Sequence, residues 1–226
     1  MTSLVIGATG GIGAALASAL EVRGERVVRL SRRSDPPLDL ADDDSIAAAA
    51  LALADDAPFD RILIATGLLH GDGVTPERTM RRIEGAALDR LFRINATGPA
   101  LVMRHFLPLL ASDRRAVLAA LSARVGSIGD NRLGGWVGYR ASKAALNQII
   151  ATLAIELGRT RPKALLVGLH PGTVATALSA PFQANVAPAN LLSPDQSAKR
   201  LLDVLDRLAT ADSGGCFDHR GVRIDA

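Results

Sequence analysis

Residues 3–20 read SLVIGATGGIGAALASAL. Ser3 to Ile6 has the length and apolar character of a buried strand, and the Ala- and Leu-rich run from Ile12 to about residue 23 has that of a helix. Between them Gly7, Gly11 and Gly13 keep a G-x-x-x-G-x-G spacing, with Gly10 as an extra glycine. Glycines in that place let the backbone turn sharply, approach a pyrophosphate closely and pack a helix against a sheet. The free N–H groups and positive dipole end of the helix would face the phosphates. A glycine loop between the first strand and first helix therefore predicts a dinucleotide site, with Gly7, Thr9, Gly10, Gly11, Ile12 and Gly13 as its contacts.

Outward from this loop, short apolar runs alternate with longer helical stretches. Ser3–Ile6, Arg26–Leu30, Arg61–Ala65, Ala116–Leu121 and Ala164–Leu169 read as buried strands, and 12–23, 43–55, 86–110 and 139–158 as helices. This alternation predicts βαβ units and a doubly wound α/β fold with a mostly parallel sheet of about seven strands. A last helix near 194–209 has a defined start: Ser193 caps it, Pro194 suits its first turn and Asp195 its positive end. Gly214-Gly215 then opens a short final strand at Cys216 and Phe217. No boundary divides the chain, so 1–226 is expected to be a single domain. The irregular stretch 176–193 (TALSAPFQANVAPANLLS) is expected to be a substrate flap, because it follows a strand on the ligand-binding side of such sheets.

Composition narrows the function classes. The 226 residues are 48% hydrophobic and 22% charged, ordinary for a globular protein, but only 3% aromatic, so the core must be aliphatic. The net charge of +3 comes with no basic cluster interleaved with aromatics, and nucleic-acid binding is not expected. A single cysteine, Cys216, excludes an intramolecular disulfide and suits a reducing, cytoplasmic setting. No signal-peptide pattern opens the chain, and its apolar runs are too short for a membrane span. The four histidines lack metal-ligand spacing, so no metal site is expected.

The second strand ends in VVRLSRRSD. An NAD site usually places an acid at this point, to accept from the ribose 2′-hydroxyl. Here Ser31 is followed by Arg32 and Arg33, which suit a 2′-phosphate through charge-assisted hydrogen bonds. NADP(H) is therefore favoured over NAD(H), with Asp35 close enough to leave the second option open.

Residues 138–148, GYRASKAALNQ, carry the only tyrosine and one of three lysines four positions apart. On a helix Tyr139 and Lys143 share a face, where the ammonium would lower the phenol pKa and prepare it for proton transfer. The same spacing also suits an amphipathic surface pair.

A glycine loop of this spacing followed by Y-x-x-x-K resembles the short-chain dehydrogenase/reductase family, and the similarity runs nearly end to end. Asp39-Leu40 is similar to the family's acidic dipeptide near the adenine. Asn95 stands where the family keeps a helix asparagine that holds a water in the proton relay, and Pro171-Gly172 with Thr176 is similar to the P-G-x-x-x-T segment that grips the nicotinamide carboxamide. Val174 falls within that segment. The resemblance implies that Tyr139 is the catalytic acid/base and that Lys143 holds the nicotinamide ribose. Residues 120–147, ALSARVGSIGDNRLGGWVGYRASKAALN, resemble the C-factor-like or sniffer-like reductases within the family, a subgroup linked to carbonyl reduction and, in some bacteria, to developmental signalling.

Two departures stand out. The family's N-N-A-G after the fourth strand is here Ile64-Ala65-Thr66-Gly67, which keeps the glycine, loses the bracing asparagine and leaves Thr66 and Gly67 as cofactor contacts. The family's S-S-x-x-G is here Ser122-Ala123-Arg124-Val125-Gly126, with alanine at the usual active serine. Either Ser122 supplies the hydroxyl, or Ser127 does, or the site works without one, and Ser122 is favoured. The resemblance implies an NADP(H)-dependent oxidoreductase acting on a small carbonyl or secondary alcohol, as a homodimer or homotetramer. A cofactor-binding sensor with little turnover is the alternative.

Overall fold

The structure, a computed structural model, describes residues 1–184 and 186–225. The elements run β1 (Thr2–Ile6), α1 (Gly11–Val22), β2 (Arg26–Leu30), α2 (Asp43–Ala52), β3 (Arg61–Ile64), α3 (Gly85–Phe92), α4 (Gly98–Phe106), β4 (Ala116–Leu121), α5 (Val137–Thr160), β5 (Ala164–His170), β6 (Thr173–Val174), β7 (Leu191–Leu192), α6 (Pro194–Arg207), β8 (Cys216–Asp218) and β9 (Arg223–Ile224). Seven strands form one sheet in the order β2-β1-β3-β4-β5-β8-β9. All its neighbouring pairs are parallel except β8 with β9, so the strand at Cys216 is followed by a short antiparallel edge. This is the expected doubly wound α/β architecture.

β1, β3, β4 and β5 are buried on both faces, which is why they read as continuous apolar runs. β2, expected to be a buried strand, lies at the sheet edge with Arg26 and Arg29 exposed and only Leu30 buried. Side chains alternate between two cores. Leu4, Ile6, Ile62, Ile64, Leu118 and Leu166 join the layer under α2, α4 and α5, while Val5, Leu63, Val117, Leu165 and Val167 join that under α1 and α6. Each fully buried aliphatic side chain contributes about 1.5–3 kcal/mol relative to exposure. Local capping agrees with the sequence. Ser193 Oγ accepts from Gln196 N at 3.1 Å and Gln196 Oε1 accepts from Ser193 N at 2.9 Å, a reciprocal box that starts α6.

Three expectations need adjustment. The helix expected over 86–110 is broken: α3 ends at Phe92, a π-helical turn spans Arg93–Thr97, α4 follows and a 3-10 turn covers Leu107–Leu109. Residues 43–55 divide into α2 and the 3-10 turn Ala54–Asp56. The flap region 176–193 is pinned at its far end, since Leu191 and Leu192 pair with Thr173 and Val174; Asn185 within it lies outside the described residues.

Strand order reverses between β1 and β3, which opens a crevice at their carboxyl ends. Gly7, Ala65, Ser122 and Pro171 lie just beyond β1, β3, β4 and β5, so the sheet brings residues from four distant parts of the chain to one edge.

Candidate active site

The glycine loop is built on close approaches. Gly7 has φ +86°, and a Cβ there would meet Ala65 O and Thr66 Cγ2 at 2.8 Å. A Cβ on Gly13 would lie 2.2 Å from Gly7 O, so α1 sits directly on the turn only because Gly13 has no side chain. Gly10, at the N-cap of α1, offers no side-chain cap, which leaves the helix's positive end open to a ligand.

Two cavities share Gly10, Ala65, Thr66 and Gly67 and so form one groove. The first, about 300 Å³, includes Thr9, Ser31, Arg32, Asp39 and Leu40 in its lining. The second, about 220 Å³, is lined by Gly11, Ile12, Ser122, Tyr139, Lys143, Pro171 and Thr176 among others. Thr66 Oγ1 is buried in this groove with no hydrogen-bond partner. An orphaned hydroxyl, an open helix terminus and a glycine cradle together fit a dinucleotide. Larger cavities of about 550 and 670 Å³ lie elsewhere, and neither touches the glycine loop or Tyr139.

The two arginines separate. Arg32 lines the groove, whereas Arg33 is exposed beside it and donates its N–H to Ser31 Oγ at 3.1 Å. Asp35 does not line the groove; the acids that do are Asp39 and Asp72. Gly13, Gly172 and Val174 support the walls without lining them: Gly172 has φ +81° beneath His219, and Val174 is 3% exposed in β6.

Tyr139 and Lys143 occupy the first two turns of α5, 9% and 3% exposed. This removes the surface-pair alternative. Lys143 Nζ donates to Leu121 O at 2.8 Å and stands 6.0 Å from the Tyr139 ring centroid. The expected depression of the phenol pKa is not what this structure shows. Burial pushes Tyr139 up to about 12 and draws Lys143 down to about 8, the latter opposed by Cys216. Desolvation disfavours each charged form, and at this separation it outweighs the attraction between them. The phenol is therefore protonated at neutral pH, the state a proton donor needs.

Asn95 sits in the π-helical turn, an irregularity that often marks functional sites. It is 1% exposed, accepts from Leu68 N at 2.8 Å and donates to Leu68 O at 2.8 Å and Ser142 Oγ at 3.1 Å. Ser142 Oγ donates to Tyr139 O at 2.9 Å, which links Asn95 to the helix that carries the tyrosine. A Cβ on Gly67 would lie 3.6 Å from Lys143 Nζ and 3.7 Å from Asn95 Oδ1, so both groups converge beside Gly67.

Ser122 lines the groove, but its hydroxyl donates to Asn147 Oδ1 at 2.6 Å. Ala123, the next residue, shares an apolar cluster with Tyr139, Leu68, Leu69 and Leu91. Ser127 Oγ accepts from Asp130 N at 3.1 Å within a turn and does not line the groove.

The sequence reading missed Ser142 and the wall around Tyr139. The Trp136 ring lies 5.0 Å from Phe182 and 6.3 Å from Tyr139, and His70 lies 5.6 Å from Phe182 with Nε2 at 3.2 Å from Ala177 O. In a chain only 3% aromatic, the single tryptophan three residues before the single tyrosine was the available signal.

A family model described as short chain dehydrogenase matches residues 1–187. The chain is 30% identical over 230 residues to a 1-hydroxy-2-glutathionyl-2-methyl-3-butene dehydrogenase of Rhodococcus sp. (strain AD45), covering 96% of each chain. It is 36% identical over 143 residues to C-signal of Myxococcus xanthus, covering 63% of this chain and 80% of that one. Among solved structures, a short-chain dehydrogenase/reductase of Burkholderia multivorans with bound NADP superposes with a TM-score of 0.82 at 28% identity, covering 100% of this chain and 99% of that one. NADPH-bound carbonyl reductase from chicken fatty liver shares the fold, with a TM-score of 0.86 at 23% identity and coverage of 100% and 98%.

Proposed function

The chain belongs to the short-chain dehydrogenase family and is an oxidoreductase of the kind that uses a nicotinamide cofactor, and on that premise we propose that it is an NADP(H)-dependent carbonyl reductase with Tyr139 as its proton donor. The observation that carries the proposal is one continuous groove, with Arg32 and the glycine loop toward one end and Tyr139, Lys143 and Ser122 toward the other. Arg32 supports NADP(H), and so does the bound NADP of the Burkholderia relative.

When bound, the cofactor exchanges hydride with the substrate carbon. The glycine loop and the α1 N-terminus would hold its pyrophosphate, Arg32 its 2′-phosphate, Asp39 and Leu40 its adenine end, and Lys143 the nicotinamide ribose. Pro171 and Thr176 line the same cavity as Tyr139 and Lys143 and would border the nicotinamide. Tyr139 gives its proton to the carbonyl oxygen, and Lys143, by way of a water held at Asn95, would replace it beside Gly67. Ser122 polarises the carbonyl once its hydroxyl turns from Asn147. The aromatic and aliphatic wall of Trp136, Phe182 and Leu178 supports a small apolar carbonyl or secondary alcohol as substrate.

The chain functions in this proposal as a single domain in the cytoplasm, with 176–193 as the flap. Among the described residues, no helix is long and apolar enough to cross a membrane. A groove between α4 and α5, lined by Met103, Leu107, Ile149 and Leu153, supports pairing with a second copy as a homodimer or homotetramer.

The test is NADPH and NADH oxidation across aldehydes, diketones, quinones and ketosteroids, beside binding titrations of both cofactors. The proposal expects turnover with NADPH preferred. Tight NADPH binding without turnover on any compound would support the second reading, a cofactor-binding sensor, which the alanine at position 123 and the likeness to C-signal favour.

A further inference from the structure

Helix α5 is capped from a distance. Trp136, its N-cap, has a left-handed backbone (φ 54°, ψ 43°) and makes no side-chain cap. Glu77, which lies between β3 and α3, takes over that role. Both its carboxylate oxygens accept from Gly138 N, at 3.2 and 3.4 Å, and its backbone carbonyl accepts from Trp136 N at 2.6 Å. Glu77 is only 2% exposed. A buried carboxylate is costly unless paired, and the first turn of a helix supplies both N–H donors and a favourable dipole.

The approach is close because position 138 is glycine. A Cβ there would meet Leu91 Cδ1 at 2.7 Å, Leu88 Cδ2 at 2.8 Å and Glu77 Oε1 at 2.9 Å. Segment 77, α3 and the first turn of α5 are thus clamped at one point, and the next residue is Tyr139. The phenol ring shares its apolar cluster with Leu91 of α3 and with Val74, three residues before Glu77.

We propose that Glu77 is a positioning residue for proton transfer: by capping α5 from outside the helix it holds Tyr139 in register with Lys143 and the groove beside Gly67. This rests on the reading of Tyr139 as proton donor. A fault at the cap acts first on Tyr139 in the first turn of α5. Lys143, one turn further on, is tied to Leu121 O of β4, and the glycine loop and Arg32 lie on other elements, so cofactor affinity should change far less than turnover.

The test compares Glu77→Ala, Glu77→Gln and Tyr139→Phe in the full chain, with kcat, KM for the carbonyl, NADPH affinity and thermal melting measured for each. Glu77→Ala is expected to lower kcat at least about tenfold while NADPH affinity changes less than about threefold. Glu77→Gln keeps an acceptor for Gly138 N–H and is expected to recover most of kcat. If Glu77→Ala does not fold, Glu77→Asp, which draws the carboxylate back by one methylene, takes its place with the same expectations. Native kcat in that variant overturns the proposal, as does a parallel loss of kcat and NADPH affinity, or a loss of kcat that glutamine fails to restore. An inactive Tyr139→Phe beside a fully active Glu77→Ala sinks the positioning role alone. A fully active Tyr139→Phe removes the reading of Tyr139 and the proposal with it.

Discussion

Lys143 Nζ stands 6.0 Å from the centroid of the Tyr139 ring and gives its hydrogen bond to the carbonyl of Leu121 instead. The pair shares a helix face, yet each member is governed by its own burial. Tyr139 keeps its proton up to about pH 12, above its ordinary 10. Its contribution to stability is full below pH 10 and is lost as pH rises from 10 through about 12.

Tyr139→Phe is expected to preserve the fold and NADPH binding while lowering carbonyl reduction about a hundred- to ten-thousandfold. Phenylalanine keeps the ring and its packing, so only the proton-carrying oxygen is lost. Steady-state kinetics beside a cofactor titration check this; near-native turnover would show that Tyr139 is not the donor.

Lys143→Met should separate stability from function. The folded-state pKa of Lys143, about 8, lies below its ordinary 10.5, so between these values the unfolded chain binds more protons and stability rises with pH. Below about pH 8 the lysine is charged in both states, and its burial costs on the order of 3 kcal/mol. Methionine should therefore stabilise the protein by about 1–3 kcal/mol at pH 7, with the gain shrinking towards pH 10. NADPH affinity and turnover should fall. Urea melts across this pH range test the first statement and cofactor titrations the second.

Arg32→Ala is expected to weaken NADPH by about 1–3 kcal/mol and leave NADH nearly unchanged. Arg33→Ala should have the smaller effect, because only Arg32 lines the groove. Binding of both cofactors to both variants decides it. Equal native affinity for NADPH and NADH would remove the premise.

Ser122→Ala should lower turnover more than Ser127→Ala, since Ser122 borders Tyr139 in the groove and Ser127 serves a turn. A loss on the order of a hundredfold is expected if the Ser122 hydroxyl leaves Asn147 to meet the substrate. No loss in either variant would mean that the site dispenses with serine.

Gly13→Ala should abolish cofactor binding, because its methyl group would lie 2.2 Å from Gly7 O, a backbone atom that cannot rotate away. The expected stability cost is about 1–3 kcal/mol. Wild-type affinity in this variant would show that the loop is more adaptable than its packing indicates.

Sequence alone determined the features that are local or periodic. The glycine spacing identified the loop, because only glycine tolerates those approaches. Apolar runs identified β1, β3, β4 and β5, because burial on both faces leaves no polar alternation to blur them. β2 was found as well, although its Arg26 and Arg29 are exposed at the sheet edge. Ser193 and Pro194 marked the start of α6, because capping is decided within one turn. Tertiary structure decided what depends on distant segments meeting. Desolvation of Tyr139 follows from the cluster that includes Leu68, Leu91 and Ala123, so the direction of its pKa shift was not legible in the tyrosine–lysine spacing. The hydroxyl of Ser122 turns to Asn147, 25 residues away, and Arg32 rather than Arg33 faces the groove. The π-helical turn that places Asn95 has no periodic signature, and the cap on α5 comes from Glu77, 61 residues before Gly138. Periodicity records which face of an element is buried; it carries no information about which remote side chain the buried face will meet.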